Sequence, residues 1–220
     1  MYDIIFISYN EPNADENFAQ LCKRFPLAKR VNGVKGIHQA HIAAATKSFT
    51  KMFWVVDGDA EILDTFNFDY KVSEWDLDVV HVWRSRNPVN GLEYGYGGVK
   101  LLPKKLTINM NTESVDMTMS ISTKFKAMKE VSNITAFNTD PFSSWRSAFR
   151  ECCKLSTSDD PEAILRLSRW CVVGNDLDAL AGAHAGKKYG QKNASNLEAL
   201  AKINDFTWLQ DQWSLGISQQ

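Results

Sequence analysis

The chain has 220 residues, 44% of them hydrophobic and 23% charged, with 25 Lys and Arg against 26 Asp and Glu for a net charge of −1. That length and apolar content describe one soluble domain with a substantial core, and they exclude a disordered chain. No window approaches the ~18 consecutive apolar residues of a membrane helix, so a membrane-spanning protein is excluded as well.

In chain order, Met1-Tyr2-Asp3-Ile4-Ile5-Phe6 carries an acid where a secretory leader would be basic, and its apolar run is short, which predicts a core strand in a cytoplasmic protein. The strand extends from Asp3 to Ser8 and is closed by the turn formers Asn10, Pro12 and Asn13. Asn13 then caps a helix with Phe18, Leu21, Cys22 and Phe25 at helical spacing, which Pro26 stops. A short strand is expected at Lys29-Arg30-Val31. Gly33 and Gly36 punctuate the chain, and Ile37 to Phe49 reads as a helix through its alanine-rich stretch. Met52 to Val56 is a continuous apolar run suited to a central strand covered on both faces. This alternation predicts a parallel α/β sheet. Ligands of such sheets bind beyond the carboxyl ends of the strands, so Ser8-Tyr9-Asn10-Glu11 and Asp57-Gly58-Asp59 are expected to meet there.

Beyond Tyr70 the pattern changes. Asp78 to Trp83 reads as a strand, Asn87 to Gly98 is rich in Gly, Asn and Tyr, and Met117 to Ile121 and Val131 to Phe137 read as strands of mixed direction. From Ser144 helices are expected at 144–154, 161–172, 176–189, 197–202 and 206–213. One domain in three parts results, and charge divides the same way: residues 1–78 carry 8 basic and 12 acidic groups, 79–155 carry 11 and 6, and 156–220 carry 6 and 8. The basic middle part suits phosphates, of a nucleotide or of a nucleic acid. The four cysteines, Cys22, Cys152, Cys153 and Cys171, form no Cys-x-x-Cys pair and read as reduced thiols.

Asp-x-Asp occurs three times, at Asp57-Gly58-Asp59, Asp76-Leu77-Asp78 and Asp176-Leu177-Asp178. The first follows the strongest apolar strand and has glycine at its centre, so a sharp turn can aim both carboxylates at one point. Two hard oxygen ligands suit Mg2+ or Mn2+, which take substrate phosphates and water as further ligands. An ordinary acidic turn would contain the same residues. Asp76 and Asp78 read as strand-entry polar residues, and Asp176 and Asp178 as first-turn helix acids favoured by the dipole.

A first strand, a glycine-led helix and a strand ending in Asp-x-Asp resemble the GT-A glycosyltransferases, whose Asp-x-Asp holds a divalent metal on the diphosphate of a nucleotide sugar. The likeness covers residues 1–62 and implies a GT-A-like, Rossmann-like mixed sheet flanked by helices, with a helical C-terminal part. It implies that Ser8, Tyr9, Asn10 and Glu11 contact the nucleoside of the donor, a UDP-sugar foremost, and that Gly36 and His38, in Lys35-Gly36-Ile37-His38-Gln39-Ala40, lie beside it. Asp57 and Asp59 would hold Mn2+ or Mg2+, with Asp57 also touching the donor. Tyr94-Gly95-Tyr96-Gly97-Gly98-Val99 resembles the family's glycine-containing loop under donor sugar and acceptor. There, Gly97 and Gly98 permit close approach, and Tyr94 and Tyr96 offer rings to a sugar or base. A surface hairpin turn would look similar.

In Asp140-Pro141-Phe142-Ser143-Ser144-Trp145-Arg146, Asp140 precedes a helix start, while Arg146 and Arg150 share a face that could meet a diphosphate. Inverting members of the family use a carboxylate base, which makes Asp140 the first candidate and Glu151 the second; a helix cap with surface arginines is the alternative. His184 is a candidate third metal ligand. His38 and His41, three residues apart, lack the acid or thiol that a zinc site would need. Arg84, Arg86 and Lys100, with Lys104, Lys105, Trp83, Tyr94 and Tyr96, form a basic and aromatic mixture suited to double-stranded DNA and a flipped base. The chain is similar in size and composition to bacteriophage enzymes that glycosylate hydroxymethylated DNA bases in the host cytoplasm, which implies a hexosyl- or pentosyltransferase with a steeply salt-dependent acceptor. A nucleotidyltransferase and a non-catalytic sugar- or nucleic-acid-binding module are the rival readings. Against the first, the segment after strand one reads Tyr9-Asn10-Glu11-Pro12 in place of a Gly-rich, Arg-containing loop.

Overall fold

A computed structural model describes residues 1–95, 97–113, 116–172 and 176–217. The chain divides into two compact units: Met1–Asn87 with Glu93–Ala136, and Pro88–Leu92 with the chain from Phe137 onward. The division falls ahead of the first C-terminal helix, so residues 137–155 belong with the helices and not with the basic middle part.

In the first unit, β1 (Asp3–Ser8), α1 (Ala14–Arg24), β2 (Lys29–Asn32), α2 (Ile37–Lys47) and β3 (Met52–Asp57) follow in the expected order. β1 pairs in parallel with β2 on one side and β3 on the other, a Rossmann-like opening. The chain adds β4 (Ala60–Ile62), β5 (Val80–Arg86), β6 (Glu93–Tyr94), β7 (Val99–Pro103), α3 (Lys104–Ile108), α4 (Met117–Ile121) and β8 (Phe125–Thr135). Among the described residues this gives a mixed eight-stranded sheet in the order β2-β1-β3-β7-β5-β8-β4, with β6 on β5.

Strand alternation sends successive side chains to opposite faces. Ile4, Phe6, Trp54, Val56 and Leu101 pack on one face with Leu21 of α1, Phe66, Phe68 and Trp83. Ile5, Ile7, Phe53, Val55 and Leu102 pack on the other with Ala44 and Ala45 of α2. Trp54 anchors the first face, its ring 4.5 Å from Trp83 and edge-on to Phe66 and Phe68.

Several elements differ from expectation: β4, β6 and α3 were not foreseen, and three others changed type, place or extent. Met117–Ile121 is a helix, because the Asp116 carboxylate accepts from the Met119 amide at 3.0 Å and the buried Met117, Ser120 and Ile121 recur at helical spacing. β7, unforeseen, runs antiparallel between β3 and β5. β8 begins at Phe125, ahead of the expected Val131, with its first residues mostly exposed.

The second unit contains α5 (Pro141–Leu155), α6 (Pro161–Trp170), α7 (Leu177–Lys192), α8 (Leu197–Ala201) and α9 (Phe206–Ile217). Asp140, Asp160 and Asp176 cap three of these helices, accepting from the amides of Ser143 at 2.9 Å, Glu162 at 3.1 Å and Ala179 at 2.9 Å. Trp145, Phe149, Cys153, Ile203 and Leu209 form the core of this unit. No described helix is long and apolar enough to cross a membrane.

Candidate active site

Ile7 of β1 pairs with Asp57 of β3, so the ends of the two strands lie side by side as expected. A Cβ on Gly58 would stand 2.7 Å from Glu11 Oε2 and 3.1 Å from Ser8 Cβ, so the turn accepts only glycine at its centre while Glu11 lies against it. The turn is fixed from three directions. Asn17 Nδ2 of α1 donates to Gly58 O at 3.0 Å. Ala136, just past β8, donates its amide to Asp59 O at 2.7 Å, and the Asp57 amide donates to Gly98 O at 2.9 Å.

On the β1 side, Ser8 is buried; its hydroxyl donates to Asn32 Oδ1 and accepts from Arg30 Nε, both at 2.9 Å. Tyr9 is 43% exposed. Its amide donates to Glu11 Oε2 at 2.7 Å, and Asn10 beside it is exposed. Gly36, at φ 93°, turns the chain into α2. His38 follows, half-buried, with no hydrogen bond at Nε2.

On the β7 side, Lys100 Nζ donates to Asp57 Oδ1 and Oδ2, each at 2.8 Å, and to Gly97 O. The Lys100 side chain is 3% exposed, against 31% for Asp57. Gly97 has φ 88°, a left-handed conformation that favours glycine. Gly98 admits no side chain, since its Cβ would lie 2.5 Å from Asn133 Nδ2. Fully buried Asn133 accepts at Oδ1 from Ser85 at 2.9 Å and Ser132 at 2.8 Å, and Nδ2 donates to Thr135 at 3.3 Å. Behind the site, burial and the Lys100 charge lower the pKa of His41 to about 3, so its imidazole is neutral.

The carboxylates of the turn differ in their fitness for a metal. Both oxygens of Asp57 are engaged by a buried ammonium, which a divalent ion would have to displace, so Asp57 does not fit as a ligand. Asp59 is half-buried at the other end of the turn. Among the described residues no group of three or more His, Cys, Asp or Glu is arranged to hold a metal. His184 is exposed on α7, in the second unit.

The remaining candidates fall in different surroundings. Arg84 is exposed on β5. Arg86 pairs with Glu93 at 2.8 Å. Tyr94 is 6% exposed and offers little ring to a ligand; Tyr96 lies outside the described residues. Lys104 and Lys105 follow the end of β7 remote from Gly98, and Lys104 donates to Ser48 O at 2.6 Å, so the basic and aromatic mixture is not one surface. In the second unit, Arg146 stacks 5.8 Å from the Phe142 ring and 5.2 Å from Phe206. Arg150 donates to Asn204 Oδ1 at 3.0 Å. Asp140 is the cap of α5 and Glu151 is half-buried on the same helix. Sequence reasoning missed Asn32, Asn133 and the pairing of Lys100 with Asp57. An isolated lysine in Val99-Lys100-Leu101-Leu102 was the available signal for that pairing.

No protein-family model matches the chain, and no curated protein does. Among solved structures it is similar to HddC from Yersinia pseudotuberculosis, at 15% identity over 58% of this chain and 90% of that one, with a TM-score of 0.36.

Proposed function

We propose that the chain is a glycosyltransferase that moves a hexose or pentose from a nucleoside diphosphate donor, a UDP-sugar first among them, to a hydroxyl. The observation that carries this reading is the meeting at one sheet edge of the Asp57-Gly58-Asp59 turn, the Ser8–Glu11 strand end and the Gly97-Gly98 pair. Tyr9 and Asn10 offer an open ring and amide to the nucleoside, beside the polar set of Ser8, Asn32 and Arg30. The glycine pair lets the sugar approach the backbone closely. In the reaction the bond from the anomeric carbon to the diphosphate oxygen breaks, the acceptor oxygen bonds to that carbon, and the acceptor proton passes to a base. A Mg2+ or Mn2+ ion, held by Asp59, would supply neutralisation of the charge on the departing diphosphate.

The acceptor we propose is a hydroxymethylated base in duplex DNA, supported by exposed Arg84 at the end of β5 nearest the glycine pair. The test is release of nucleoside diphosphate from a set of nucleotide sugars with Mn2+, with and without hydroxymethylated duplex. Donor-specific release that rises with the duplex is expected, and Asp59→Asn should lower it roughly 100-fold, the loss typical of a charge-stabilising group. No release from any donor overturns the reading. Pyrophosphate release from a nucleoside triphosphate and a sugar phosphate would identify a nucleotidyltransferase, and binding without turnover a binding module.

A further inference from the structure

Lys100 is a charged residue in the middle of the sheet. It pairs with Val55 of β3 and Val82 of β5, both buried. A lysine in such a place is destabilising unless its charge is matched and its protons are bonded. All three ammonium protons have acceptors, in the two oxygens of Asp57 and in Gly97 O. These acceptors belong to two parts of the candidate site, the acidic turn and the glycine loop, and the Asp57 amide joins the same parts again through Gly98 O. Neutral His41 behind the lysine adds no second positive charge, and the Asp57 carboxylate matches the ammonium.

We propose that Lys100 is a positioning residue that locks the Asp57 carboxylate and the Gly97-Gly98 loop into one rigid donor subsite before any ligand arrives. The inference rests on the glycosyltransferase reading for its consequence, though not for its geometry. At 3% exposure Lys100 touches no ligand and acts through Asp57 and Gly97. Its removal leaves the donor able to bind but out of line, which lowers kcat more than it raises KM.

The experiment compares the intact chain with Lys100→Met, Asp57→Asn and the double variant. The double variant removes both buried charges together and so guards against a single variant that fails to fold. Lys100→Met should lower kcat by about 30-fold or more with KM for the donor within about threefold, and the double variant should be no worse than Asp57→Asn by more than about threefold, because the pair acts as one unit. Losses that multiply, or a Lys100→Met protein with unchanged kcat, overturn the inference. Should the wild-type chain turn over no donor, whether or not it binds uridine diphosphate in calorimetry, the functional reading fails, and amide hydrogen exchange then decides for Lys100. Exchange at Asp57 and residues 97–99 should quicken about tenfold in Lys100→Met, and in the double variant if the single one does not fold, with the rest of β3 unchanged. Unchanged exchange at those amides overturns the proposal.

Discussion

The Asp140 carboxylate accepts from the Ser143 amide at 2.9 Å and the Ser143 hydroxyl at 2.6 Å. Burial alone would raise its pKa, but these bonds, with Thr139 and the Phe142 amide, outweigh burial and hold it below the ordinary carboxylate value. A group whose folded pKa is depressed stabilises the fold above its unfolded pKa and loses that stability as pH falls through the folded value. Asp140→Ala should therefore destabilise the second unit by about 0.5–2 kcal/mol at neutral pH. The deficit should shrink in denaturant titrations below the ordinary carboxylate pKa; a deficit independent of pH would show that ionisation is not what the cap contributes. Cysteines separate as sharply. The Cys152 thiol donates to Cys171, burial opposes, and the His184 and Lys187 charges assist, bringing Cys171 down to about 6, while burial pushes Cys153 up to about 11 and Cys152 further still. Iodoacetamide at pH 7 should label Cys171 well ahead of the other two by peptide mass spectrometry, since the thiolate is the nucleophile. Equal labelling would contradict that ordering.

Among the elements, α5 and α7 pack most closely. A Cβ on Gly182, Gly186 or Gly190 would stand inside the contact distance of backbone atoms of Trp145, Phe149 or Cys153. Gly186→Ala gains about 1 kcal/mol of helix propensity and meets an overpacking penalty of about 1–3 kcal/mol or more against rigid backbone. A net loss of stability is expected in urea unfolding, with no such loss for Gly216→Ala, where nothing lies within 4 Å. The spacing of these three glycines is plain in the sequence, and so are β1, α1, α2 and β3, whose apolar periods match their burial. Elements that were not legible break their own period. β7 carries a lysine where an apolar residue belongs, because its partner Asp57 lies 43 residues away in the chain. In α4 the cap at Asp116 outweighs the strand preference of Met117-Thr118-Met119-Ser120-Ile121. The acidic turn and its neighbour strand were legible because they end strong strands, whereas Asn133 was not, since nothing local marks a buried amide bonded to Ser85 48 residues away.

For the whole molecule, much of the basic character of residues 79–155 is matched on folding by acids that the chain brings beside it. Three of its lysines pair with acids of the first 78 residues: Lys100 with Asp57 at 2.8 Å, Lys124 with Asp78 at 2.6 Å and Lys126 with Asp76 at 3.9 Å. Arg86 is matched within the segment by Glu93, and Arg146 and Arg150 fall in the other unit. Linear charge counting missed this because antiparallel β7 lies against β3, and β8, parallel to β5, starts beside the chain of Asp76 and Asp78 that leads into β5. The consequence bears on the DNA acceptor. Phosphate contacts release counterions, so affinity falls with salt in proportion to their number. A duplex held by two or three cations loses roughly 10- to 40-fold in affinity between 50 and 200 mM salt, against about 1,000-fold or more for six. The shallower response is expected for a hydroxymethylated duplex measured by fluorescence anisotropy, in place of the steep one that composition suggested. Discrimination between hydroxymethylated and unmodified duplex should then persist at high salt, because it rests on the base and not on the phosphates. A loss near 1,000-fold would show that the ion pairs of Lys124 and Lys126 open to receive DNA, and the charge pattern of the first unit would have to be redrawn around that contact.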